Sequence, residues 1–239
     1  MEPASGESRQ TTLERPPGYD LVIEQPARGY RYNQDPFHLA RFIAQHAEEW
    51  RTRFAGECLD LGCGVGVLAL VLARIFPETR FTGIEIQPEL ADLARANCRR
   101  NRLEQRIQII TADYRDFSRQ NSNCGRFSTV VSNPPYYPAA GGRLNHCPQK
   151  RLARHELAGD LADLARNTAR LLAPKGSLLM VFPAERLFEL SYLLQQHKLE
   201  PKHLKLIHPQ NSDRAATLLL AARKNSAPGV IIENPLQTG

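Results

Sequence analysis

An apolar run broken by glycines does most to limit how this chain can fold. Cys58-Leu59-Asp60-Leu61 leads into Gly62-Cys63-Gly64-Val65-Gly66, and the almost wholly apolar Val67 to Phe76 follows. The first part has the length of a short buried strand and the last that of a buried helix, with the glycines turning the chain between them. A strand and a helix apolar on nearly every side need cover on every side, which a sheet with helices on both faces supplies. The same alternation recurs downstream. Phe81-Thr82-Gly83-Ile84 reads as a second strand ending at Glu85, and Pro88 opens a helix with Leu90, Leu93, Ala94 and Cys98 on one stripe. Ile107 to Ile110 makes a third strand ending near Asp113, and Phe127 to Val131 a fourth. Leu161 to Leu172 carries a helical period stopped by Pro174-Lys175-Gly176, Leu178 to Phe182 is a fifth strand, and Leu187, Leu190 and Leu194 mark another helix. His203 to Ile207 and Thr217 to Ala221 read as two more strands, and Val230-Ile231-Ile232 as an edge strand. Right-handed crossovers then give an α/β fold with a mostly parallel sheet, whose ligands collect at the carboxyl ends of its strands.

Residues 1–18 are polar, without apolar period, and are expected to be a disordered leader. Residues 19–239 form a single domain on this reading. Its first part, 19–50, is a hairpin of Leu21-Val22-Ile23-Glu24-Gln25 with Tyr30-Arg31-Tyr32-Asn33 about the turn Pro26 to Gly29, then a helix with Asp35 as N-cap and Pro36 in its first turn. No apolar run approaches the roughly 20 residues of a membrane span, and the amino terminus lacks the order of a signal peptide, so a cytoplasmic protein is expected. The five cysteines have no zinc spacing and read as buried or incidental thiols. A net charge of +6 favours a polyanionic partner.

The strand ends gather glycines, two carboxylates and an amide. Glu85, about 20 residues beyond the turn, can accept both hydroxyls of a ribose. A nicotinamide dinucleotide and S-adenosylmethionine both satisfy that geometry, but Leu68 fills the third small position a dinucleotide turn wants, and Asp60 repels a pyrophosphate while suiting a sulfonium. Asp113 can accept from an adenine amine. After the fourth strand comes Ser132-Asn133-Pro134-Pro135-Tyr136-Tyr137, in which two prolines remove two donors and fix two φ angles. The result is a rigid elbow whose Asn133 amide oxygen and Pro134 carbonyl suit a flat group bearing an NH2, with Tyr136 offering a planar face.

Asp60 to Gly66, Glu85, Asp113 and Asn133-Pro134-Pro135-Tyr136 together resemble the motifs of class I S-adenosylmethionine-dependent amino-methyltransferases. Gly29 to Asp35, Ala153-Arg154-His155-Glu156, His208-Pro209 and Asn234-Pro235-Leu236 further resemble the bacterial family that methylates N6 of an adenine beside the anticodon of a valine tRNA. The resemblance implies a seven-stranded, mostly parallel Rossmann-like methyltransferase sheet with one antiparallel strand. It implies a cofactor site of Gln34, Asp35, Asp60, Gly62, Gly64, Gly66, Glu85, Ile86, Asp113, Tyr114 and Asn133, and catalytic roles for Asn133, Pro134 and Tyr136. No metal is called for. Arg143, Lys150, Arg151 and Arg154, just past the elbow, are expected to grip tRNA phosphates from a loop that is mobile until an anionic partner orders it. A monomer is the expected state. The same elbow serves enzymes that methylate a protein glutamine amide, the rival reading, and a non-catalytic RNA-binding module is the third.

Overall fold

The computed structural model describes residues 10–29, 31–134 and 161–238. Two short strands, β1 (Thr11–Glu14) and β2 (Ile23–Pro26), pair antiparallel and precede helix α1 (Asp35–Gln45). The short α2 (Ala47–Trp50) leads to β3 (Glu57–Leu61), α3 (Val67–Ile75), β4 (Arg80–Glu85), α4 (Pro88–Arg100), β5 (Ile107–Thr111), α5 (Tyr114–Arg119) and β6 (Phe127–Ser132). Beyond residue 160 come α6 (Leu161–Leu171), β7 (Leu172–Pro183), α7 (Leu187–Gln196), β8 (Leu199–Pro209), β9 (Thr217–Lys224), β10 (Ile231–Ile232) and β11 (Leu236–Thr238).

Seven long strands lie in the order β8-β9-β7-β6-β3-β4-β5, and β9 runs antiparallel to both its neighbours. The short β10 and β11 pair parallel with β8 and extend that edge. The sheet separates two apolar cores. On one face α1, α3 and α4 pack with Trp50 and Phe54, whose ring stacks on Phe76 at 4.0 Å. On the other, Tyr114, Phe117, Leu164, Leu171, Leu190 and Leu194 of α5, α6 and α7 cover Leu59, Val130 and Met180. Helix α3 is buried from Val67 to Ala73 because it is apolar all round, and each such Leu or Val contributes about 1.5–3 kcal/mol.

Three expectations need correction. Thr11–Glu14 is a strand rather than part of a disordered leader, and it is the partner of β2 in place of the expected second hairpin arm, whose described residues 31–33 form no strand. An apolar period gives no warning of this because the ribbon is held by polar groups: Thr11 Oγ1 donates to Glu24 at 2.7 Å, Tyr32 Oη donates to Glu14 at 2.8 Å, and Arg31 pairs with Glu14. Helix α1 begins at Asp35, one residue early. Gln34 holds the cap position without a side-chain bond, while Asn33 Oδ1 accepts from Asp35 N at 3.0 Å. Pro174-Lys175-Gly176 does not separate helix from strand but bulges within β7, where pairing with β6 jumps from Phe127↔Leu172 to Thr129↔Ser177.

Candidate active site

In the order β7-β6-β3-β4-β5 the chain reverses direction of travel between β3 and β6, and a crevice opens at such a switch point beyond the strand ends. The glycine turn leaves β3 on one side of it and Asn133 leaves β6 on the other. Ser132, fully buried, ties the two ends together by donating its hydroxyl to Leu61 O at 2.9 Å. Asn133 and Pro134 are half-buried at the end of β6.

The turn adopts φ of +75° at Gly62, +55° at Gly64 and +87° at Gly66, a region in which side chains other than glycine are strained. Four of its amides are already engaged. Gly62 N and Cys63 N donate to Ile84 O at 2.9 Å each, Gly64 N to Glu85 Oε2 at 2.9 Å, and Gly66 N to Cys63 O at 2.8 Å. A pyrophosphate would need such groups free, so the turn is not built as a phosphate cradle. Gly83 lets β4 pass beneath it, since a Cβ there would meet Cys63 Sγ at 2.9 Å and Ile109 Cδ1 at 2.7 Å.

Below the turn lie two buried carboxylates. Asp60 Oδ2 accepts from Ala69 N, in the first turn of α3, at 3.1 Å. Burial nevertheless pushes its pKa up to about 7; that bond lowers it and the charge of Glu85 raises it further. Glu85 Oε1 accepts from Gln87 N at 2.9 Å, and burial raises its pKa although backbone donors from Gln87, Gly64 and Ile86 counter the rise. Two desolvated acids facing one crevice are stabilised in their ionised form by an entering cation. Asp113 differs: burial raises its pKa, but Arg115, through its guanidinium and its backbone N–H at 2.8 Å, outweighs that and holds the carboxyl below the usual range. Asp113 thus caps α5 with Arg115 already on it.

Ile86 is half-buried after Glu85, Gln34 is exposed, and Asp35 is partly buried with its carboxylate accepting from Asn33 Nδ2 at 2.6 Å. The Tyr114 ring is buried in the second core. Tyr136, Arg143, Lys150, Arg151 and Arg154, with the loop reading made for them, lie outside the described residues.

Residues that sequence reasoning passed over hold the site in shape. Asn97 of α4, fully buried, accepts from Glu24 N at 2.7 Å and donates to Glu24 O at 2.8 Å and to Val65 O at 3.0 Å. Asn101 treats Val22 alike, accepting from its N at 2.9 Å and donating to its O at 2.8 Å. Together they bind the segment before α1 to the helix under the glycine turn. Gln25, also buried, accepts from Tyr32 N at 3.1 Å and so steers the chain toward Asn33 to Asp35. Two amides four apart, one on the otherwise apolar stripe of α4 and one at its carboxyl cap, were the available signal.

A sheet whose seven long strands take this order, with a glycine turn and an Asn-Pro elbow at its switch point, defines the Rossmann-like methyltransferase class. The chain belongs to the methyltransferase small domain family, whose model matches residues 40–198. Among curated relatives it is 37% identical over 151 residues to the tRNA1(Val) (adenine(37)-N6)-methyltransferase of Porphyromonas gingivalis, a match spanning 62% of this chain and 58% of that protein. It is 33% identical over 134 residues to the enzyme of the same name from Tolumonas auensis, spanning 56% of this chain and 54% of that one. The chain therefore matches somewhat over half the length of these relatives. Among solved structures, a predicted O-methyltransferase from Agrobacterium tumefaciens shares the fold at a TM-score of 0.65 and 21% identity, covering 86% of this chain and 89% of that one. The 16S rRNA N2 G1207 methyltransferase of T. thermophilus, in complex with AdoMet and guanosine, does so at 0.62 and 18%, covering 93% of this chain and 52% of that one. Among the described residues no helix is long and apolar enough to cross a membrane.

Proposed function

We propose that the chain transfers a methyl group from S-adenosylmethionine to N6 of an adenine in tRNA, beside the anticodon of a valine tRNA. The observation that carries this reading is the pairing across one switch point of a cation-seeking pocket, Asp60 and Glu85 under a turn with engaged amides, and an acceptor elbow at Asn133. S-adenosylmethionine supplies a methyl group made electrophilic by its sulfonium charge. Glu85 would accept the ribose hydroxyls, Asp60 would complement the positive charge, and the half-buried Ile86 would line the adenosine.

An adenine amine is a poor nucleophile because its lone pair is shared with the ring. Asn133 Oδ1 and the Pro134 carbonyl accept its two N–H groups, favour a pyramidal nitrogen and direct the lone pair outward. The target base leaves its neighbours and stacks on Tyr136, worth roughly 1–3 kcal/mol. The proton departs after transfer, when the nitrogen has become far more acidic. Choice of tRNA rests on the names of the relatives and on the flanking motifs, and the basic residues from Arg143 to Arg154 would grip the phosphates. Incubation of the purified chain with labelled S-adenosylmethionine and unmodified tRNA tests it by mass spectrometry of nucleosides. N6-methyladenosine from a valine tRNA is expected. Label on a protein glutamine and none on tRNA would overturn the substrate assignment.

A further inference from the structure

Far from the strand ends, the carboxyl end of α1, the short α2, the edge strand β8 and the segment joining β10 to β11 converge on His46, Glu49, His203 and Glu233. Glu233 is held there by its own backbone, whose N–H donates to Leu204 O at 2.8 Å. Its Oε1 lies 2.7 Å from His46 Nε2 and 3.3 Å from His203 Nδ1. Each imidazole turns its other nitrogen to Glu49, His46 Nδ1 at 3.4 Å and His203 Nε2 at 3.8 Å. Trp50 stacks on His46 at 4.4 Å and 14° and meets His203 edge-on at 5.2 Å, so a large ring walls one side of the cluster.

We propose that His46, His203 and Glu233 form a structural site for a divalent ion of the zinc class, with Glu49 orienting both imidazoles from outside. The three donor atoms lie within 4.8 Å of one another. Bonds of about 2 Å in a tetrahedral array set neighbouring donors about 3.3 Å apart, so the 2.7 Å His46–Glu233 pair must open by about 0.6 Å and the widest pair close by up to about 1.5 Å, movements within the reach of side-chain rotation. Two imidazoles and one carboxylate are a donor set that suits zinc, and a metal-bound histidine ordinarily gives its second ring N–H to a carboxylate, a part Glu49, at 3.4 and 3.8 Å from the two rings, would take by closing on them. Lys205 Nζ stands 3.3 Å from Glu233 Oε2, leaving Oε1 to ligate alone. The ion would be structural. Helix α1 spans about 16 Å at the helical rise, which separates His46 at its end from Gln34 and Asp35 at its start. Its effect would be to lock α1 and the last residues against β8.

Titrating metal-free full-length protein with Co²⁺ tests this by visible d–d absorption. One equivalent per chain is expected, without a near-ultraviolet thiolate band, displaced by one equivalent of Zn²⁺ and accompanied by a rise in Tm. His203→Ala and the near-isosteric Glu233→Gln should each weaken binding about 100-fold or more, at or beyond what losing a supporting group costs. Cys124→Ser should bind as wild type does. No stoichiometric binding by wild-type protein, a thiolate band, or unchanged affinity in Glu233→Gln would each show that the cluster is a set of hydrogen bonds and nothing more. Circular dichroism of the metal-free variants separates a loss of ligation from a loss of fold.

Discussion

Replacing Asp60 with asparagine should abolish a pH dependence of S-adenosylmethionine affinity that the buried carboxylate imposes on the wild-type chain. Burial puts the Asp60 pKa at about 7 against an ordinary 3.8, so the cofactor-free protein at pH 5.5 has only about 3% of this group ionised, and at pH 7 about half. If the ionised form binds the cationic cofactor, affinity rises about 15-fold across that interval, or about 1.6 kcal/mol. The cofactor's own amino group, titrating near 8, stays protonated throughout. Isothermal titration calorimetry at fixed ionic strength between pH 5.5 and 7 reads the slope, and Asp60→Asn, whose amide oxygen can still accept from Ala69 N, should be flat. Stability carries the opposite trend. Because the folded pKa lies above the unfolded one, the native state holds a proton that the unfolded chain gives up. Stability of the cofactor-free protein is therefore lost as pH rises from about 4 to 7, by an amount of the order of 4 kcal/mol. A wild-type affinity constant within about twofold over the interval would refute the reasoning, and a slope that survives in Asp60→Asn but vanishes in Glu85→Gln would move the proton to Glu85.

Asn133→Ala should leave cofactor affinity nearly unchanged and lower the rate of methyl transfer by roughly 3–4 kcal/mol, measured in single turnover; near-normal turnover would reduce Asn133 to a turn residue. Asn97→Ala removes three hydrogen bonds, one buried and two partly buried, and should cost about 3 kcal/mol, lowering Tm by about 6–12 °C; a shift within about 2 °C would show that the clamp on Glu24 and Val65 is not what fixes the turn. Joint replacement of Lys150, Arg151 and Arg154 with alanine should weaken tRNA binding and flatten its salt slope by about 0.7–0.9 for each phosphate left without its cation, with cofactor affinity intact. Unchanged affinity and slope would make that stretch merely solvated and favour a protein substrate.

The elements of the sheet and the residues at its strand ends were legible in the sequence, because both follow from local chemistry. An apolar run of given length must be a buried strand or helix, a glycine turn must lie between them, and two prolines must stop a strand wherever it sits. Asp60, Glu85 and Asn133 could be picked out for the same reason: each lies within two residues of the end of such a run. How those ends are held and charged depends instead on the assembled fold. That Asp60 titrates near neutrality while Asp113 stays acidic depends on depth and on the reach of Arg115, and two aspartates at two strand ends are indistinguishable before those surroundings exist. The strand at Thr11–Glu14 was invisible because a ribbon held by Glu14, Arg31 and Tyr32 has no hydrophobic period to read. Asn97 and Asn101 were passed over because a polar residue on an apolar stripe or at its end declares that it has a partner, not which one. Two of their partners, Val22 and Glu24, stand more than 70 positions earlier in the chain, and only folding brings them within 3 Å.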